Sequence, residues 1–440
     1  MPAVLIVSHD VVGPLMAGPG IRYWEIASAL ARRGLEVALA APEGSELGGA
    51  PFEGLTYRPG GAELSRAASR ARAVMVTGPI LEQFPELKGL GRPLVVDLYD
   101  PFLFENLHRL RGSAERWPHH MGGLRVLAEQ ARCGDWFVCA NERQRDLYLG
   151  MLATWGRVNP IAYDADPTLR ELLDVVPFGL PAEPPRPGPA LRDALPGIGR
   201  DDRLIVWNGG PWDWFDPPTA VRAMARLARE RPDARLVFLG TRHPNPAVGE
   251  PPMAARTRAL ADDLGLTDRR VFFREWTPYR ERGAFLLEAD AAVSLHLLGV
   301  ETRYASRTRL LDWIWAALPG VVTEGDAIGD DLAARGLAVA VPPGDEVAVA
   351  DALARLLDDS RYRDRRRAAF AALAEALSWD RCIEPLARFL AAPRRAADRS
   401  ADVEPRPDSA DEPLPARPPE PPSLRDRFLA VLRMAGTPRP

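Results

Sequence analysis

Lysine is all but missing from this chain of 440 residues: Lys88 stands alone, and every other basic side chain is arginine. A GC-rich genome produces that bias. Its consequence is chemical all the same, because any phosphate clamp must be built from guanidinium groups or backbone amides. Cysteine is scarce too. Cys133, Cys139 and Cys382 form no C-x-x-C pair, which argues against a disulfide framework or a thiolate zinc site and suits a reducing compartment. The six histidines show no metal-ligand spacing, His119-His120 being the only close pair, so neither metal nor cofactor is expected. A net charge of −4 offers nucleic acid no general attraction. The opening MPAVLIVSHD lacks the basic and apolar regions of a secretion signal. No run approaches the roughly eighteen apolar residues of a membrane helix, and the expected location is the cytoplasm.

What is present is a globular balance, 46% hydrophobic and 26% charged, in a length that suits two domains. Short apolar runs predict buried parallel strands at 4–7, 37–40, 73–76, 94–96, 136–138 and 173–176. Ile21, Trp24, Ala27, Leu30 and Ala31 recur at helical spacing between the first two, with Gly34 as the stop. Prolines crowd 181–189, and the alternation then restarts at 204–207, 236–239, 271–273, 291–294 and 320–322. Strands alternating with helices imply doubly wound sheets. The expected division is therefore 1–180, a linker at 181–200, and a second α/β half at 201–378. From 393 to 422 prolines and charges dominate, and disorder is expected. A short amphipathic segment follows at 423–440, with Leu424, Phe428, Val431 and Leu432 on one face. It suits a membrane surface, a partner, the protein itself or a frayed tail alike.

Ligands of open α/β sheets bind at the carboxyl ends of the strands. Four such loops carry chemistry. His9 and Asp10 lead into Gly13, Gly18 and Gly20 before the first helix, where backbone can approach a ligand closely or simply turn. Gly209-Gly210 precedes Trp212, Asp213 and Trp214, a surface for stacking a sugar or for packing a domain interface. Thr241 and Arg242 stand at a third strand tip, suited to a ribose or phosphate, or to solvent. The fourth loop holds Glu301, Arg303, Ser306, Arg307 and Thr308 ahead of a helix with buried periodicity. Ser306 is the expected N-cap, and arginines ringing a helix N-terminus suit a pyrophosphate. Asp312 on that helix needs a partner, either a ligand hydroxyl or Arg309.

These segments resemble the retaining GT-B glycosyltransferases of family 4. The resemblance is carried by Leu5-Ile6-Val7-Ser8, Arg22, Glu25 and the helix ending Arg32-Arg33-Gly34. Val175-Val176-Pro177-Phe178-Gly179, Val341-Pro342-Pro343-Gly344-Asp345 and Ser378-Trp379-Asp380 extend it over roughly residues 3–390. It implies two Rossmann-like domains facing a central cleft, an acceptor domain first and a nucleotide-sugar domain second. Residues 379–392 would form a helix crossing back to the first. The pattern is altered in places. Two glutamates separated by seven residues are usual; aligned on Pro319, Asp312 takes the second place and Tyr304 the first. The usual Arg and Lys of the early C-terminal loops are missing. Asp97-Leu98-Tyr99-Asp100-Pro101 stands where a histidine loop is common.

The resemblance implies transfer of a sugar from a nucleotide-diphosphate sugar to a glycan or lipid-linked acceptor with retention, in surface polysaccharide synthesis. The leaving diphosphate would take the acceptor's proton, and no metal would be needed. Asp100 and Arg307 are the catalytic candidates. Gly209, Gly210, Asp213, Thr241, Arg242, Arg303, Ser306, Thr308 and Asp312 are the donor-side candidates, and His9, Gly18 and Gly20 lie on the acceptor side. Residues 103–125 are expected to contribute acceptor loops. The alternatives are a nucleotide-sugar or glycan-binding protein without turnover, a nucleotide-sugar epimerase, and a scaffold acting through the tail; peripheral contact with the inner membrane face is compatible with any.

Overall fold

A computed structural model describes residues 2–188, 191–243, 249–359 and 361–400. The segment 423–440 and most of the proline-rich stretch before it lie outside the described residues.

The first half is a seven-stranded parallel sheet of order β3-β2-β1-β4-β5-β6-β7. Its strands are β1 (Val4–Val7), β2 (Val37–Pro42), β3 (Glu53–Tyr57), β4 (Val74–Val76), β5 (Leu94–Asp97), β6 (Trp136–Cys139) and β7 (Leu173–Val175). The second half is a six-stranded parallel sheet of order β10-β9-β8-β11-β12-β13. It comprises β8 (Arg203–Asn208), β9 (Ala234–Leu239), β10 (Val271–Arg274), β11 (Ala291–Ser294), β12 (Gly320–Thr323) and β13 (Ala338–Val341). Both sheets run outward from a first strand and then jump to its other side, between β1 and β4 and between β8 and β11. Each therefore has a switch point where loops diverge and a ligand fits. Central strands such as Val4–Val7 are buried on both faces, which is why they read as continuous apolar runs.

The helices that shape the region between the sheets are α1 (Gly18–Arg32), α2 (Phe102–Arg109), α3 (Arg116–Cys133), α4 (Glu142–Thr154), α5 (Val300–Tyr304) and α6 (Thr308–Ala316). Three short helices close the described chain: α7 (Trp379–Cys382), α8 (Glu384–Ala391) and α9 (Ala397–Ser400). The first two lie on the first half. Arg32 and Arg33 of α1 pair with Asp380 and Glu384, and Phe389 stacks on Trp136 at 4.6 Å. A Cβ added at Gly179 would come within 2.7 Å of the Trp379 backbone, so this contact requires glycine.

Two expectations are corrected here. The chain does not lose order at Pro393. Residues 397–400 form a helical turn whose Asp398 pairs with the fully buried Arg157 at 2.7 Å, while Arg395 and Arg399 reach Asp135. The composition of that stretch says disorder, but a buried guanidinium needs a carboxylate, and Asp398 supplies it. Residues 103–125 are also more regular than irregular loops, being largely α2 and the start of α3.

A second buried guanidinium joins distant parts of the chain. Arg22 of α1 donates to both oxygens of Asp97 at the end of β5, at 2.6 and 3.0 Å, and to the Val176 carbonyl after β7 at 3.0 Å. Tyr23 donates a further bond to Asp97, and the guanidinium lies over the Phe178 ring at 4.6 Å. Asp97→Ala would leave this charge buried and unpaired, at a cost of about 3–5 kcal/mol. The expected result is a matching fall in the urea midpoint of the first transition; a loss under about 1 kcal/mol would show that water reaches Arg22.

Candidate functional site

The carboxyl ends of β1, β5 and β6 face those of β8, β9 and β11 across a cleft, and side chains bridge it. Gln144 of α4 donates to the Tyr99 carbonyl in the first half and the Tyr304 carbonyl in the second. Asn141 donates to the Ser306 hydroxyl at 2.9 Å, and Phe104 stacks on Tyr304 at 5.7 Å. On the α1 side, Tyr279 donates to Glu25 at 2.9 Å.

In the second half the loop between α5 and α6 is organised by Arg307. Both of its terminal nitrogens donate to Glu301, at 2.9 and 2.6 Å, in a pair that is almost wholly buried. The charge reaches further. It adds to burial in pushing the His296 imidazole down to about 4, and opposes the burial that lifts Asp326 to about 6. Ser306 does not cap α6: the helix starts at Thr308, and the Ser306 hydroxyl is taken by Asn141 across the cleft. Asp312 does not pair with Arg309 either. It accepts from Arg282 at 3.0 Å, with Asn208 at 3.4 Å.

Arg309, expected only as a partner for Asp312, is placed differently. It is 9% exposed, donates to the Gly210 carbonyl at 2.6 Å, and lies over the Phe215 ring at 3.9 Å. Among the described residues no carboxylate forms an ion pair with it, and its second terminal nitrogen has no partner. Burial, with Arg307 nearby, pushes its guanidinium down to about 9. The signal is the Arg307-Thr308-Arg309 run, in which the sequence offers Arg309 only as a partner for Asp312.

Gly209 sits against this guanidinium with φ of +98°, a conformation that favours glycine, and a Cβ there would come within 3.5 Å of it. Trp212 and Trp214 stack at 5.7 Å; His243 lies 5.5 Å from Trp212 and 5.3 Å from Trp276. This half-open aromatic group adjoins Thr241, which donates to the Arg274 carbonyl. Asp213 accepts from the Met253 amide, and its carboxylate thereby caps a neighbouring helix. Thr308 is half-buried, while Arg303 and Arg242 are exposed at the rim.

In the first half, a Cβ at Gly20 would collide with the Val11 carbonyl at 2.6 Å, whereas Gly18 faces open space. His9 is half-buried, and burial holds it below the usual imidazole range against the pull of Asp10 and Asp97. Asp100 follows β5 and is hydrogen-bonded with Glu105 of α2, a residue the sequence reading missed. Burial and the negative charges of Glu301 and Asp97 push Asp100 up to about 7. Burial and the charges of Asp100 and Glu301 also raise Glu105 well above the usual carboxylate range.

No family model and no curated protein matches this sequence. Solved structures do. Sucrose-phosphate synthase from Thermosynechococcus elongatus matches with a TM-score of 0.62 at 14% identity, over 89% of this chain and 99% of that one. WaaG, a glycosyltransferase involved in lipopolysaccharide biosynthesis, gives 0.59 at 16% over 88% and 100%. Anabaena HepE in complex with UDP-glucose gives 0.60 at 14% over 88% and 99%. The fold is GT-B. The two sheets are thus the two Rossmann-like domains of that architecture. Asp100 and Glu105 lie on the N-terminal wall of the GT-B cleft, and Arg307 and Arg309 on its C-terminal wall.

The carboxyl pair sets a pH dependence. Unfolded aspartate ionises near 3.9, whereas folded Asp100 keeps its proton to about 7. Between those values the folded state binds more protons, so stability falls as pH rises. Asp100→Asn removes that titration. Wild type should lose more stability than the variant between pH 4.5 and 7.5, by about 1.4 kcal/mol or more for each pKa unit retained. Parallel thermal melts at the two pH values measure it, and parallel curves would refute the raised value.

Proposed function

We propose that this chain is a glycosyltransferase that takes its sugar from a nucleotide-diphosphate donor. The observation that carries the reading is Arg309, a buried guanidinium with no carboxylate, beside the Gly209-Gly210 turn on the C-terminal wall of a GT-B cleft. A diphosphate supplies the missing charge. The amides that open α6 add the positive end of a helix dipole. Thr308 and Arg303 would complete the diphosphate site from its rim. The aromatic group of Trp212, Trp214 and Trp276 would take the base by stacking, with Thr241 and Arg242 at the ribose side. Asp312, held by Arg282, would face a sugar or ribose hydroxyl.

Catalysis then rests on stabilising the departing diphosphate. We propose retention at the anomeric carbon, with the diphosphate oxygen taking the acceptor's proton. Guanidinium groups and amides do the neutralising, so this reading calls for no metal. Arg307 acts indirectly: bound to Glu301, it fixes the loop from which α6 starts. The half-buried Asp100 on the opposite wall would bind the acceptor hydroxyl, with His9 and the open face of Gly18 beside the acceptor. Synthesis of a surface polysaccharide at the inner membrane face is the setting proposed; among the described residues no helix is long and apolar enough to cross a membrane.

A nucleotide-sugar-binding protein without turnover is the second reading, favoured by the commitment of Arg307 to Glu301. Purified protein melted with UDP, GDP, ADP or dTDP tests the donor site, because a ligand of the native state raises the melting temperature. One diphosphate should produce a shift. Arg309→Met should weaken its binding about 10- to 150-fold, the worth of a hydrogen bond to a charged group. Transfer or hydrolysis of the matching donor sugar separates enzyme from binding protein. No shift with any nucleotide would defeat both readings.

A further inference from the structure

α2 is amphipathic, yet none of its residues is buried. Its apolar side leans on α3 and α4 without covering them. A Cβ at Gly123 of α3 would meet Leu103 at 2.6 Å, so the two helices touch there. Beside that contact they part. Between them opens a cavity of about 190 Å³ lined by Phe102, Phe104, Leu124, Leu127, Leu147 and Met151. Each of these side chains is only half-buried, so the cavity opens to solvent. Among the residues that line it, the one polar side-chain group is the Tyr148 hydroxyl, which donates to the Asp100 carbonyl.

The position is as telling as the lining. Pro101, directly after Asp100, forms part of the wall. Phe104 lines the cavity and also stacks on Tyr304 of the opposite domain, so cavity and cleft share one side chain as a partition. An apolar group seated here would have its polar end beside the Asp100–Glu105 carboxyls.

We propose that this cavity binds the alkyl chain of an acceptor, with the acceptor's reacting hydroxyl carried to the Asp100 side of the partition. The proposal rests on the reading of the cleft as a site of glycosyl transfer, and it names the acceptor class: an amphiphile with an unbranched chain, its headgroup a sugar or alcohol. A cavity of about 150 Å³ accommodates a benzene ring, so this one takes roughly six to eight carbons, and the rest of a longer chain would leave by the solvent side.

The test is a series of n-alkyl β-D-glucopyranosides, methyl to octyl, kept below micelle formation and titrated into full-length protein by calorimetry. Affinity should rise roughly fourfold per methylene and level off near the length that fills the cavity. Leu124→Trp, which fills it, and Leu147→Asn, which makes its wall polar, should each reduce octyl binding to the level of methyl. A flat series in the wild type, or a steep one in both variants, would overturn the proposal. So would displacement of the octyl probe by a peptide of residues 423–434, which would give the cavity to the chain's own end. The binding needs no donor. A flat series with an intact nucleotide shift therefore removes the cavity alone, and a steep series without any nucleotide shift removes the donor reading alone.

Discussion

Arg22 has no access to water, and its charge decides where three separated segments of the chain meet. The guanidinium must satisfy itself inside the protein, and it does so on Asp97, on the Val176 carbonyl and against the Phe178 ring. Asp97 begins the loop that ends in Asp100, so the N-terminal wall of the cleft is set by this pair. Val176 and Phe178 begin the crossing to the second domain, and Phe178 in turn touches Trp379 at 6.4 Å. One ion pair thus fixes the candidate acceptor loop, the hinge and the seat of the returning helix. Lysine would not serve, because a single ammonium cannot hold a carboxylate bidentately and still reach a carbonyl on a third segment.

The same rule runs through the C-terminal domain with a different outcome. Arg307 is buried and finds Glu301; Arg282 is half-buried and finds Asp312. Arg309 is buried and finds only a carbonyl and an aromatic face. Among the described residues the other buried guanidiniums, those of Arg22, Arg157 and Arg307, meet carboxylates, and Arg309 is where we propose that a ligand brings the charge. Arg307 and Arg309 are two residues apart on the chain, yet one is spent on structure and the other is not.

That distinction explains what could be read in the sequence. Strands β1, β2, β4, β5, β6, β8, β9, β11 and β12 are buried along most or all of their length and announce themselves as apolar runs, and the edge strand β10, half-covered at its end, is still apolar enough to read. β3 does not, because Glu53, Gly54 and Thr56 face solvent on an edge strand; nor does β13, whose Val339 and Ala340 are only partly covered. The fourth loop was legible as an arginine-rich helix start. Which arginine is free was not, since the partners lie across tertiary distances: Arg309 meets Gly210, and Asp312 meets Arg282, thirty positions away. Ser306 is a good cap by type, but a hydroxyl that can satisfy Asn141 of the other domain is worth more there. Glu105 stayed hidden for a similar reason. Its chemistry comes from Asp100 beside it and Glu301 opposite, and charge proximity across a cleft leaves no periodicity.

The cleft contacts and the Arg22 pair differ in what separation would cost them. Gln144 and Asn141 bridge the domains through neutral hydrogen bonds, each exchanging for water at about 0.5–1.5 kcal/mol net, whereas Tyr279 donates to the Glu25 carboxylate and Arg143 pairs with Asp330. Breaking the Arg22–Asp97 pair would strand a buried charge at about 3–5 kcal/mol. The Arg22 pair therefore resists separation more than any one neutral bridge across the cleft does. Glu301, across the cleft, adds its negative charge to the burial that raises Asp100 and Glu105.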